Sequence, residues 1–84
     1  MDVKTQIRKF ILKSFMAGEP AEALKDEESF LERGIIDSTG VLELVAFLEE
    51  TFKLKVADDE LVPENLDSVD TLVRFIAEKT SHVA

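Results

Sequence analysis

Residues 34–52 read GIIDSTGVLELVAFLEETF. Val41, Leu44, Val45, Leu48 and Phe52 fall at i, i+3, i+4, i+7 and i+11, the spacing of a helix with one apolar stripe. At about 100° per residue, Thr39, Leu42, Glu43, Ala46 and Glu50 gather on the opposite side, and Phe47 lies between the two. Asp37 and Ser38 are both favoured N-cap residues, so the helix is expected to start there and to run to about Phe52. Gly34 is expected at positive φ, turning the chain just before Asp37. A helix with a core stripe needs other helices to cover it, and the flanking sequence supplies them.

On the N-terminal side, Val3, Ile7, Phe10, Ile11 and Phe15 recur at helical spacing over 3–16, and Ala17-Gly18-Glu19-Pro20 ends that helix. The stretch is basic and amphipathic, as a transit peptide would be, but a domain this small depends on its apolar surface, so a first core helix is the expectation. Residues 17–37 then form a long connection, unusual in a small domain. Leu24, Phe30, Leu31, Ile35 and Ile36 are available to pin it to the core. On the C-terminal side, Pro63 suits the first turn of a short helix, Pro63-Glu64-Asn65-Leu66. Asp67 or Ser68 then caps a last helix with the stripe Val69, Leu72, Val73 and Ile76, ending near 79–81. His82 is placed in a frayed tail. No strand pattern or repeat is present. The expected fold is all-α: one domain over 1–84, a small antiparallel bundle of three main helices plus one short helix, with the long loop between the first two main helices.

Composition narrows the function. The chain has 84 residues, 45% of them hydrophobic, with no cysteine, tryptophan or tyrosine. A folded domain with a modest core follows, without disulfides or zinc-thiolate chemistry. Ten Lys and Arg stand against 18 Asp and Glu, a formal net charge of −8. That argues against nucleic acid and anionic membrane as partners and favours proteins with basic patches. No apolar run is long enough to span a membrane. The charge is uneven: residues 1–16 carry four basic residues and one acid, whereas residues 37–70 carry ten acids and two lysines.

The sequence offers three kinds of candidate site. Hydrolysis at Ser38 lacks a base, since the sole histidine is His82 and the glycine of a nucleophile elbow is absent before the serine. A calcium loop at Asp58-Asp59-Glu60 fails because Val62 and Pro63 occupy the positions of the next ligand and the glycine. That leaves the Asp-Ser pair. One capping residue suffices for one helix, so if Asp37 caps, the Ser38 hydroxyl is left free. Gly40 sits where a better helix former would stabilise by up to about 1 kcal/mol, and is expected to leave the backbone beside Ser38 open to close approach. A phosphate there would meet unpaired N–H donors and the positive end of the helix dipole. Beside it, Leu42 and Ala46 lie among Glu43, Glu49 and Glu50, either a plain solvated face or a docking strip with an apolar centre and acidic rim.

Taken together, FLERGIIDSTGVLELVAFLEETF (30–52) and LVPENLDSVDTLVRFI (61–76) resemble the carrier-protein family, the acyl carrier proteins and the peptidyl or aminoacyl carrier (thiolation) domains. The likeness covers essentially the whole chain and is to the free-standing type. It implies that Ser38 receives 4′-phosphopantetheine from coenzyme A through a separate phosphopantetheinyl transferase, with Asp37 and Thr39 beside it at the attachment site. It implies no catalysis by the chain itself. The arm would present an acyl or aminoacyl group as a thioester to a ligase or synthase with a basic docking surface, met by Leu42, Glu43, Ala46, Glu49 and Glu50. A cytoplasmic monomer is expected, since a shuttle must visit several enzymes. Many fatty-acid carriers follow the Asp-Ser pair with leucine and an acid, whereas Thr39 and Gly40 stand here, and the cargo is left open among amino acids, polyketide starters and other acyl groups. The competing reading is an unmodified acidic helical adaptor that binds a basic protein, with Asp37-Ser38 only a cap.

Overall fold

The first long helix, α1, spans Val3–Phe15 and starts where the Asp2 carboxylate accepts the Thr5 N–H at 2.7 Å. It turns Ile7 and Ile11 fully into the core, with Val3, Phe10 and Phe15 half-buried beside them. The computed structural model describes residues 2–80, so His82 lies outside the described residues. Two further long helices, α3 (Ser38–Phe52) and α5 (Val69–Thr80), complete the bundle, and the described residues contain no strand. Leu44 and Leu48 of α3 and Val69, Leu72 and Ile76 of α5 are buried with Ile7 and Ile11 in one core cluster. Each such aliphatic contributes on the order of 1.5–3 kcal/mol through burial. Lys53, in the left-handed region at φ 55°, ends α3.

The connection between α1 and α3 is more ordered than the sequence suggests. It contains a one-turn helix, α2 (Phe30–Arg33), so the bundle has two short helices rather than one. Ser29 caps α2 by accepting the Glu32 N–H at 3.1 Å, and Gly34, at φ 69°, closes it. Leu24, Phe30 and Ile36 reach the core as expected, but Leu31 is 52% exposed and Ile35 only half-buried. Within a single helical turn Phe30 takes the inward direction, which leaves its neighbour Leu31 facing outward.

Polar contacts fix the rest of the connection. The Arg8 guanidinium donates to the carbonyls of Ala21 (2.8 Å) and Leu24 (2.9 Å) and to the Asp26 carboxylate (2.6 Å). Lys4 pairs with the same carboxylate at 2.7 Å, and the Asp26 carbonyl accepts the Asp70 N–H of α5 at 2.9 Å. The loop is thereby tied to α1 and α5 at once. The Lys4 hydrogen bond, helped by Arg8, holds the Asp26 carboxyl below the usual carboxylate range against the opposing effect of burial. A depressed carboxyl contributes stability above its unfolded pKa and loses it as the pH falls through the folded value. Asp26→Asn is therefore expected to be less stable than wild type by about 1 kcal/mol at pH 7, the upper end for partly exposed pairs. Urea titrations should show that gap closing below the ordinary carboxylate pKa. A gap that persists unchanged at pH 2 contradicts the assignment.

The short helix α4 (Pro63–Leu66) has its proline in the first turn and buries Leu66. Ser68, not Asp67, caps α5: its hydroxyl accepts the Thr71 N–H at 3.1 Å while Thr71 Oγ1 accepts the Ser68 N–H at 3.0 Å. This is the reciprocal arrangement of a capping box, with threonine in the third position. The α5 stripe also includes Phe75, buried where Val73 is only half-buried. Among the described residues no helix is long and apolar enough to cross a membrane.

Candidate functional site

The start of α3 divides two tasks between Asp37 and Ser38. Asp37 is the N-cap: its Oδ1 accepts the Gly40 N–H at 2.7 Å and its carbonyl accepts the Val41 N–H at 3.0 Å. Ser38 is the first helical residue, is exposed, and its hydroxyl makes no hydrogen bond to any described residue. Thr39 is exposed next to it. The first N–H groups of a helix have no intrahelical acceptor, and with Gly40 and Val41 satisfied by Asp37, those of Ser38 and Thr39 are left to an outside acceptor.

Gly40 does not play the part the sequence suggests. It is buried, and a Cβ placed on it meets Phe15 Cε1 at 2.9 Å, Ile36 Cγ2 at 3.0 Å and the Asp37 carboxylate at 3.3 Å. The glycine lets α3 approach α1 and the end of the connection; it does not open the backbone beside Ser38. Helical rotation explains why, since residue 40 points about 200° away from residue 38.

On the side that Ser38 does face lies an apolar cleft of about 250 Å³. One wall is Phe30 and Leu31 of α2, another Ile36 and Val41 around Ser38, and the third Leu61, Val62, Pro63, Leu66 and Asp67 on and beside the short helix Pro63–Leu66. Leu31, Leu61 and Val62 are partly exposed on its rim, at 52%, 37% and 36%. Sequence reading missed these three as site residues, because only the tertiary fold brings α2 and α4 to the head of α3. The one available signal was that Leu61 and Val62 fit no helical stripe.

The neighbouring face of α3 is as expected in part. Leu42 is 64% exposed, one turn below Ser38, and Glu43, Ala46 and Glu50 are exposed with it. Glu49 is half-buried and accepts the Val56 N–H at 2.9 Å, fastening the segment that follows α3. Asp58 and Asp59 are exposed in a turn, whereas Glu60 accepts the Ala57 N–H and pairs with Lys79 at 2.8 Å.

A family model described as "Phosphopantetheine attachment site" matches residues 16–76, which include α2 to α4 and the exposed serine. The chain belongs to the carrier-protein family. It is 31% identical to the D-alanyl carrier protein of Streptococcus mutans over 93% of this chain and 95% of that one. It is 35% identical to the acyl carrier protein of Acidothermus cellulolyticus, over 77% and 75% of the two chains. With the acyl carrier protein of Caulobacter vibrioides the identity is 32%, over 95% and 97%. As a carrier protein the chain is not an enzyme; it bears a covalently attached 4′-phosphopantetheine and works with partner enzymes. The residues present fit that group: an unbonded, exposed hydroxyl, two unpaired N–H donors for its phosphate, and an apolar cleft adjoining.

Proposed function

We propose that Ser38 carries the 4′-phosphopantetheine arm and that the protein presents an acyl or aminoacyl group on it to partner enzymes. The observation that carries this reading is the free Ser38 hydroxyl at a helix start already capped by Asp37. In the transfer, Ser38 Oγ forms a bond to the β-phosphorus of coenzyme A. The pyrophosphate P–O bond breaks, the 3′,5′-bisphosphoadenosine half leaves, and the serine proton passes to a base on the transferase. A phosphodiester so placed lies at the positive end of α3, where its negative charge is stabilised. When bound, the arm supplies a terminal thiol that holds cargo as a thioester.

Leu42, Glu43, Ala46 and Glu50 form the surface that partners meet, an apolar centre edged with carboxylates. The transferase and the acyl- or aminoacyl-activating ligase or synthase that fit it carry basic grooves, and long-range attraction makes their encounters fast. We place the protein in the cytoplasm, as a monomer, where it meets coenzyme A and each partner in turn.

The test is intact mass after incubation with coenzyme A, Mg²⁺ and a broad-specificity phosphopantetheinyl transferase. A gain of one phosphopantetheine, with peptide mapping to Ser38, is the expected result. A folded protein that gains nothing refutes the assignment. The docking surface has its own check: Glu43→Lys with Glu50→Lys is expected to slow loading roughly tenfold at low salt, an effect that shrinks as salt screens the charges. Equal loading rates at low salt would remove that surface from the account.

A further inference from the structure

Among the described residues, Asp67 is the only acidic side chain lining the cleft beside Ser38, and it is already occupied. Its Oδ2 accepts the Ser29 hydroxyl and its Oδ1 accepts the Leu31 N–H at 3.1 Å. Its backbone carbonyl accepts the Phe30 N–H at 2.7 Å. Three consecutive residues at the start of α2 thus bond to one residue at the end of α4. The sequence offered Asp67 as a cap for α5, but Ser68 fills that place with Thr71, so the Asp67 carboxylate is released for this cross-loop contact. A charged acceptor makes such hydrogen bonds about twice as strong as neutral ones.

The contact joins two walls of the cleft. Phe30 and Leu31 form one, and Leu66 with Asp67 itself belongs to the other. Phe30 is anchored by its buried side chain, but Leu31 is more than half exposed and has little packing to hold it. The carboxylate bond to the Leu31 N–H supplies the restraint that packing does not.

We propose that Asp67 is a positioning residue that clasps the α2 wall to the α4 wall and so sets the opening of the cleft beside Ser38. The functional consequence rests on the reading of Ser38 as the attachment point. With the clasp closed, a short acyl group on the arm lies sheltered between Leu31 and the α4 wall; with it broken, the wall swings and the thioester is exposed to water. Sheltering in this way is decided by the clasp and not by overall stability, because α1, α3 and α5 make no use of the Asp67 side chain.

The experiment has two arms. In the apo protein, amide hydrogen exchange is followed in wild type, Asp67→Asn and Asp67→Ala. Exchange at Leu31 is expected to quicken roughly tenfold in the alanine variant, as for a locally opened segment, with asparagine between the two. The Phe30 amide, bonded to the backbone carbonyl, should change less, and the amides of α1 and the middle of α5 should not change. In the holo proteins loaded with a hexanoyl group, hydroxylamine is expected to cleave the thioester several-fold faster from the alanine variant, with partial rescue in the asparagine variant. Unchanged exchange at Leu31 overturns the clasp outright. Faster exchange with equal cleavage rates overturns its role in positioning cargo. Where the alanine variant does not fold, the asparagine variant decides both points. Failure of wild-type Ser38 to accept an arm would instead refute the attachment site, and the exchange comparison would still decide the clasp.

Discussion

Ser38→Ala is expected to abolish arm attachment altogether while leaving the bundle intact. The loss is total because the bond to phosphorus is made by the serine oxygen, and alanine offers no atom in its place. Thr39 is the only other hydroxyl at the head of the helix, and it is displaced by about 100° around the axis. Stability should hold for a separate reason. The Ser38 side chain makes no hydrogen bond to the described residues, and the cap is Asp37, which the substitution leaves in place. Alanine is also the better helix former, by a few tenths of a kcal/mol. The informative comparison is therefore intact mass against thermal midpoint in the same preparation. A variant that keeps its midpoint and takes no arm supports the division of labour between Asp37 and Ser38. A variant that still gains a phosphopantetheine moves the site elsewhere, and one that unfolds shows the serine to be a structural residue. Asp37→Ala should give the contrasting pattern, a lower midpoint by about 1 kcal/mol from the lost cap, with the hydroxyl still present.

How much of this was legible depended on element length. α1, α3 and α5 each run for twelve residues or more, enough turns for a 3.6-residue period to show, and their bounds were readable to within a residue or two. α2 has four residues and displays no period at all. Its only signals are the Ser29-to-Glu32 capping spacing and the glycine at 34, and a glycine at positive φ marks a plain turn as readily as a helix end. Phe75 lies outside the stripe of Val69, Leu72, Val73 and Ile76, which is complete without it, whereas α5 is buried over a wider arc. Glu49 illustrates a different limit. Helical spacing places it beside the exposed face, but its carboxylate bends to a backbone N–H seven residues on, a contact that exists only once the following segment has folded back. The free hydroxyl of Ser38 was legible, since it follows from there being two capping residues for one helix. The cleft was not, since its third wall, from Leu61 onward, lies some thirty residues beyond the Phe30–Leu31 wall and meets it only in the folded chain.

Gly40→Val is expected to destabilise the fold by about 2–4 kcal/mol, a large share of the stability of a domain this small. A first carbon is already tight, since a Cβ meets the Phe15 ring at 2.9 Å and the buried Ile36 methyl at 3.0 Å, and valine adds two more carbons that a small shift of Phe15 cannot clear. Ile36 is 2% exposed and held by the core, so Phe15 must yield. Its ring packs edge-on against Phe10 at 5.8 Å, Phe10 stacks on Phe47 at 4.0 Å, and Phe47 meets Phe52 edge-on at 6.0 Å. A displaced Phe15 therefore disturbs an aromatic row that joins α1 to α3, where such pairs are each worth roughly 0.5–1.5 kcal/mol beyond their buried area. The Asp37 carboxylate is crowded as well, at 3.3 Å from the added carbon, and that same oxygen caps the helix through the Gly40 N–H. Alanine at this position is the control: about 1 kcal/mol of helix propensity offsets the milder crowding, so Gly40→Ala should lie within about 1 kcal/mol of wild type. Urea midpoints at constant slope will separate the two substitutions. If valine is tolerated as well as alanine, close packing is not why glycine stands here. If valine lowers the midpoint as expected, loading of Ser38 should also slow in the fraction that stays folded. The cap and the attachment point share one helical turn, and a loosened Asp37 no longer holds the first N–H groups in place for the phosphate.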